Sequence, residues 1–217
     1  MSVDRKSDPL PPLFGGILIG GGSRRMGAAK ALLEWEGETF VERIARAVSA
    51  VVPELFLFGA GLKMPAALAQ HAVVPDSGGA SGPLAGLLAA FETRRDAAWL
   101  MVSCDQPLLS TLALEWLIAE RRSDRIAVLP RLTPARIEPF PGIYEPRCHR
   151  EIAQLAAPGS GNSLQPIGDH PAVRIVDVPP RFAGEFLGAN TPGELALLQS
   201  RAGRTGKDRH RERKRPG

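Results

Sequence analysis

The chain of 217 residues has two cysteines, one tyrosine, three tryptophans and an aromatic content of only 6%. Two cysteines, Cys104 and Cys148, cannot make a disulfide framework for a chain of this length. So few aromatics argue against a stacking platform for single-stranded nucleic acid. The histidines His71, His149, His170 and His210 share no metal-ligand spacing, and no Gly-x-Ser-x-Gly elbow for acyl transfer occurs. No apolar run approaches the roughly 18 residues that would span a membrane. The opening residues MSVDRKSDPLPPL lack the charged, apolar, small-residue order of a signal peptide, so a soluble cytoplasmic protein is expected.

What the chain does have is an ordinary globular balance, 44% hydrophobic and 23% charged, with 23 glycines and 20 prolines that imply many loops. Its formal charge of +4 is unevenly placed. Residues 201–217 carry eight of the 27 basic residues against Asp208 and Glu212, a net of +6. Residues 1–200 hold 19 basic and 21 acidic residues, a net of −2. A slightly acidic body with a basic tail argues against a nucleic-acid-binding face on the fold itself. The expected organisation is a flexible leader over 1–12, one folded domain over 13–200 and a disordered basic tail over 201–217.

Within that domain short apolar runs alternate with amphipathic stretches. Strands are predicted over 16–19, 55–58, 72–74, 97–103 and 125–129, with a further extended segment over 173–178. Helices are predicted over 39–52, 83–93, 112–122 and 145–156; the first puts Phe40, Ile44, Ala47, Val48 and Val51 on one face. Strands alternating with helices imply crossover connections: an α/β, Rossmann-like three-layer sandwich around a mostly parallel sheet. Ligands of such sheets sit beyond the carboxyl ends of the strands, which directs attention to the residues that follow each strand.

The first of these segments is Leu18-Ile19-Gly20-Gly21-Gly22-Ser23-Arg24-Arg25-Met26-Gly27-Ala28-Ala29-Lys30. Glycines let backbone N–H groups approach a phosphate, and Arg24, Arg25 and Lys30 supply cations suited to a polyphosphate. A Walker A loop would need lysine where Ala28 stands, and a dinucleotide loop would need glycine at Arg25. A glycine-rich turn with solvated arginines has the same composition. After the strand over 72–74, Asp76 precedes Gly82-Pro83-Leu84-Ala85-Gly86, which serves equally as a chain reversal. After the strand over 97–103 comes Cys104-Asp105-Gln106-Pro107, where Asp105 suits Mg²⁺ but could instead cap the helix that begins near Ser110. Cys104 reads as a small packing residue.

Together these segments resemble the MobA-type nucleotidyltransferases, the molybdenum cofactor guanylyltransferases. The glycine loop resembles that family's Leu-Ala-Gly-Gly-x-Ser-x-Arg-Met-Gly-x-x-Lys signature, with Ile19 in place of alanine. Asp76 with Gly-Pro-Leu-Ala-Gly, and Cys104-Asp105-x-Pro107, resemble the second and third family motifs. Residues 138–144 and Asn190-Thr191-Pro192 resemble two later ones, although Gly188 stands where a second asparagine is common and Gly59 near another. Asn190 reads equally as a turn that caps a last helix.

The resemblance implies a nucleotide-diphospho-sugar transferase-like fold and Mg²⁺-dependent transfer of GMP from GTP to the phosphate of molybdopterin-bound molybdenum. Nucleotide contacts are implied for Leu18, Ile19, Gly20, Gly21, Gly22, Ser23, Arg25, Gly27, Lys30, Asp76 and Asp105. Catalytic roles fall to Arg25, Lys30 and Asp105, with Asp105 the metal ligand, and the acceptor side to Tyr144 and Asn190. Implied partners are GTP, molybdopterin or molybdenum-molybdopterin, and molybdoenzyme apoproteins or their chaperones. A CTP-dependent cytidylyltransferase, a sugar-phosphate nucleotidyltransferase and a non-catalytic cofactor-delivery adaptor share these features.

Overall fold

The computed structural model describes residues 9–20, 30–161, 163–189 and 194. Its frame is a mixed sheet in the order β10-β7-β9-β6-β1-β4-β5, with a short β8 paired to β7. In chain order these strands are β1 (Leu13–Leu18), β4 (Leu55–Phe58), β5 (Ala72–Val74), β6 (Ala98–Ser103), β7 (Ala127–Thr133), β8 (Arg136–Ile137), β9 (Gly142–Tyr144) and β10 (Val173–Asp177). A separate hairpin joins β2 (Glu34–Trp35) to β3 (Glu38–Thr39), with Glu36 and Gly37 both at positive φ in its turn. The pairs β1–β4, β1–β6, β4–β5 and β7–β10 are parallel, while β9 lies antiparallel between β6 and β7.

Both faces of the sheet are covered, as its apolar strands require. Alternation along each strand divides the core in two. On one side Ile17, Leu55, Leu57, Leu100, Val102 and Ile143 pack with α1 (Phe40–Ser49) and α3 (Thr111–Ala119). On the other, Leu18, Phe56, Phe58, Trp99, Met101 and Tyr144 pack with α2 (Pro83–Thr93) and α4 (His149–Leu155). The predicted three-layer arrangement is therefore the observed one.

The helix boundaries follow their caps. Thr39 caps α1 in a reciprocal box, its Oγ1 accepting from Glu42 N while its own N–H donates to Glu42 Oε2 at 2.9 Å. Pro83 occupies the first turn of α2, where its missing N–H costs nothing. Strand β7 runs past Leu129, where the sequence reading ended it. Pairing with β9 stops at Val128 and pairing with β8 starts at Arg131, so Pro130 sits in an interruption of the ladder on that side. At the opposite end of the sheet, buried Arg121 forks onto buried Glu145 at 2.7 and 3.0 Å and donates to Pro11 O at 2.9 Å. Among the described residues no helix is long and apolar enough to cross a membrane.

Candidate active site

The order of the sheet reverses between β1 and β6: the chain leaves β1 toward β4 and β5, then returns to β1's other side. Their carboxyl ends open the crevice expected at such a switch point. They lie side by side, since Cys104 N donates to Leu18 O and Ile19 N to Phe58 O. Leu18 and Ile19 bury their side chains in the two halves of the core, so any ligand contact there falls to the main chain. Gly20 is the exposed end of this edge. Gly21, Gly22, Ser23, Arg24, Arg25, Met26 and Gly27, and Asn190, lie outside the described residues.

Beyond that loop Lys30 opens a 3-10 turn, Lys30–Leu32, and points back to the crevice. Its Nζ stands 3.8 Å from Asp105 Oδ2, and each side chain keeps about a fifth of its surface exposed (21% and 20%). The sequence left open whether Asp105 caps α3. The cap is Ser110, whose Oγ accepts from Ala113 N at 3.2 Å, and Ser110 N donates to Glu185 Oε2 at 3.1 Å. The Asp105 carboxylate is thus left facing Lys30. It is also closely bordered: a Cβ at Gly188 would lie 3.3 Å from Asp105 Cγ, and Ala189 N donates to Asp105 O at 2.9 Å.

Asp76 stands on the other flank of β1. A Cβ at Gly20 would lie 3.2 Å from its Oδ2, and one at Gly86 in α2 would lie 3.6 Å from its Oδ1. Although the residue is exposed overall, partial desolvation raises its carboxyl above the usual aspartate range. Gly59 holds the neighbouring strand end at φ +134°, and its own Cβ would stand only 2.6 Å from Gly20 N. That approach explains why glycine occupies a position near which the family often has asparagine. The crevice therefore brings Gly20, Lys30, Asp76 and Asp105 to one strand-end edge.

One sequence-derived role changes. Tyr144 is fully buried in β9, and its hydroxyl donates to Pro139 O at 2.7 Å; burial pushes its pKa well up. It props the loop that leads into β9 from within and offers no surface to a ligand. Cys104 is confirmed as a packing residue, its thiol pushed up to about 12 by burial and by Asp105, far from a nucleophile's range. The sequence reading singled out neither Gln106, Glu138 nor Gly188 as a site residue. Gln106 is buried beside Asp105 and bridges two loops. Glu138 is a largely buried carboxyl whose pKa is raised by desolvation and also by the charge of Asp105, against the lowering influence of Arg136.

Among the described residues no group of three or more His, Cys, Asp or Glu forms a cage for a metal ion. A single, partly exposed carboxylate such as Asp105 suits Mg²⁺ instead, which takes one or two carboxylates and completes its shell with phosphate oxygens and water.

The chain matches the model of the MobA-like NTP transferase domain over residues 15–171. It is 30% identical over 202 residues to a probable molybdenum cofactor guanylyltransferase of Pelotomaculum thermopropionicum, covering 89% of this chain and 96% of that protein. A molybdenum cofactor guanylyltransferase of Xanthomonas euvesicatoria is 29% identical, with 86% and 94% covered. In fold it is similar to molybdopterin-guanine dinucleotide biosynthesis protein A from Archaeoglobus fulgidus, with TM-score 0.70, 20% identity, and 88% and 99% of the two chains covered. A 2-C-methyl-D-erythritol 4-phosphate cytidylyltransferase from Thermus thermophilus shares the fold at TM-score 0.60 and 18% identity, over 86% and 97%. With the sheet order, the strand-end crevice and the family match in agreement, the chain belongs to the MobA-like NTP transferase family and is a nucleotidyltransferase.

Proposed function

We propose that this protein transfers GMP from GTP to the terminal phosphate of molybdenum-bound molybdopterin, with Mg²⁺, and releases pyrophosphate. The observation that carries the reading is Lys30 facing Asp105 at the switch point of a MobA-like domain. The relatives from Pelotomaculum and Xanthomonas are named guanylyltransferases, which favours GTP over CTP.

In this reaction an acceptor phosphate oxygen attacks the α-phosphorus, the bond to the bridging α–β oxygen breaks, and its electron pair leaves with pyrophosphate. The acceptor is already largely ionised at neutral pH, so the chain need not supply a base. Its task is to bring two anions together in line and to neutralise charge. In this reading Gly20, Gly21, Gly22, Ser23 and Gly27 cradle the phosphates through the main chain, and Asp76 accepts from the nucleoside. Arg25 and Lys30 take up charge on the transferring phosphoryl group and pyrophosphate. Asp105 holds Mg²⁺, which neutralises the phosphate oxygens when bound. Asn190 lies on the acceptor side. The proposed catalytic domain is 13–200, with 1–12 a leader and 201–217 a basic tail, in the cytoplasm.

The deciding experiment measures pyrophosphate release with GTP, CTP, ATP or UTP, Mg²⁺ and molybdenum-molybdopterin, alongside calorimetric binding of each nucleotide. GTP should be preferred in both. Preference for CTP would make the protein a cytidylyltransferase, and release with sugar phosphates alone would move it to another acceptor class. Binding without transfer to any acceptor would make it an adaptor. Lys30→Ala should lose about 2–4 kcal/mol of transition-state stabilisation. Asp105→Ala should abolish Mg²⁺-dependent turnover, and near-normal turnover would remove Asp105 from the metal site.

A further inference from the structure

One side chain ties together three segments that border the crevice. Gln106 follows Asp105 directly and is 3% exposed. Its Nε2 donates to Phe140 O at 2.9 Å and to Phe186 O at 3.0 Å, across 34 and 80 residues of sequence. Both amide protons are thereby used, and the two carbonyls fix which end of the amide is nitrogen, since Oε1 turned toward them would be repelled.

Neither tied segment owes its place to a long element. Phe140 lies in the connection from β8 to β9, which also carries Glu138 and is propped from inside by the Tyr144 hydroxyl on Pro139 O. Phe186 opens the run that brings Gly188 against the Asp105 carboxylate and Ala189 N onto Asp105 O. That run is anchored beyond Gln106 by Ala189 and Leu187, which pack with Trp35, Phe40, Leu33 and Leu108. Asp105 therefore shares one buried amide, on the adjacent residue, with both segments. The nucleotide flank of the crevice, formed by Gly20, Gly59 and Asp76, receives no bond from Gln106.

The amide is not needed to fill space. Its Oε1 is buried and has no hydrogen-bond partner among the described residues, a cost that an apolar side chain of equal length would avoid. What methionine would lose is the tie. We infer that Gln106 is a positioning residue of the transfer step: it holds the loops at Phe140 and Phe186 at fixed spacing from Asp105, so that the acceptor lies in line with the nucleotide. The inference rests on the nucleotidyl-transfer reading.

The test compares wild type with Gln106→Met, measuring three quantities: the Kd of Mg²⁺-GTP by calorimetry, kcat and KM for molybdenum-molybdopterin, and Tm. Misplacement by up to about 1 Å costs up to about 100-fold in rate, so kcat should fall about 10- to 100-fold and the acceptor KM should rise. The Kd for Mg²⁺-GTP should stay within about twofold. A purely structural role would not produce this split. Unchanged turnover in the variant, or a Kd weakened by the same factor as turnover, overturns the assignment. A wild-type protein that binds GTP but transfers to no acceptor overturns the underlying reading and this role with it. Should Gln106→Met not fold, the same ratios are read on Gln106→Asn, whose shorter amide cannot span both carbonyls. If neither variant folds, Gln106 belongs to the fold and the positioning role falls.

Discussion

Replacing Gly59 with alanine tests how the strand ends that frame the crevice are held together. Gly59 donates its N–H to Val74 O at 2.9 Å and sits at φ +134°. A Cβ there would stand 2.6 Å from Gly20 N and 2.9 Å from Gly20 Cα. Two costs combine. Holding alanine in this region of φ costs about 1–3 kcal/mol. The overlap falls on main-chain atoms that cannot rotate aside, and overpacking of that kind adds about 1–3 kcal/mol. For a chain of this size the total of about 2–6 kcal/mol lowers Tm by about 4–24 °C. Gly61→Ala isolates the first cost, because Gly61 sits at φ +83° with nothing within 4 Å of where its Cβ would stand. Both substitutions reduce the freedom of the unfolded chain by the same amount, so that effect cancels in the comparison. Thermal unfolding followed by circular dichroism should place Gly59→Ala below Gly61→Ala by about 2–12 °C, the contact cost alone. Calorimetry should show weaker GTP binding only for Gly59→Ala, because the overlap lands on Gly20. A Gly59→Ala protein that melts level with or above Gly61→Ala refutes the reasoning.

A methyl group at Gly188 would press on the Asp105 carboxylate from 3.3 Å, so Gly188→Ala should move that group by a few tenths of an ångström. Turnover at saturating Mg²⁺ should fall about 3- to 10-fold with little change in Tm, and unchanged steady-state kinetics would count against the contact. Glu145→Gln leaves Arg121 charged and buried without its partner, and urea unfolding should show a loss of about 3–5 kcal/mol. Asp76 is held above its usual pKa by desolvation, so the folded state binds its proton more tightly than the unfolded state. Its ionisation therefore lowers stability as pH rises from the ordinary carboxylate range through the raised value. Asp76→Asn should gain Tm over wild type as pH increases across that window while losing GTP affinity; a Tm difference that does not vary with pH contradicts the desolvation.

Most of the frame was readable in the sequence because each major strand is an apolar run bounded by turn residues, and the start of α2 was marked by Pro83. The strand β9 was not, since three residues behind Pro139 and Pro141 are too few for alternation to show. Its place comes from two neighbours, β6 and β7, that supply the ladder. Asp105 was visible as a carboxylate after a strand, and its pairing with Lys30 follows from the crossing of the chain at the switch point. Gln106 was not visible. Its partners are main-chain carbonyls at Phe140 and Phe186, and a carbonyl has no residue identity to read. Gly188 looked like a missing ligand; in the fold it is the residue that fits beside Asp105.

The place of β9 also bears on the order in which the chain can be assembled. β6 and β7 are parallel and leave the ribosome in succession, whereas the strand that belongs between them comes after both. Until residue 144 has emerged, the free edge of β6 is open to β7 itself or to another nascent copy. The topology therefore requires β9 to enter between two strands synthesised before it, and its three residues join the halves of the sheet. A chain interrupted after residue 141 would keep that edge open, and its expected fate is aggregation through β6.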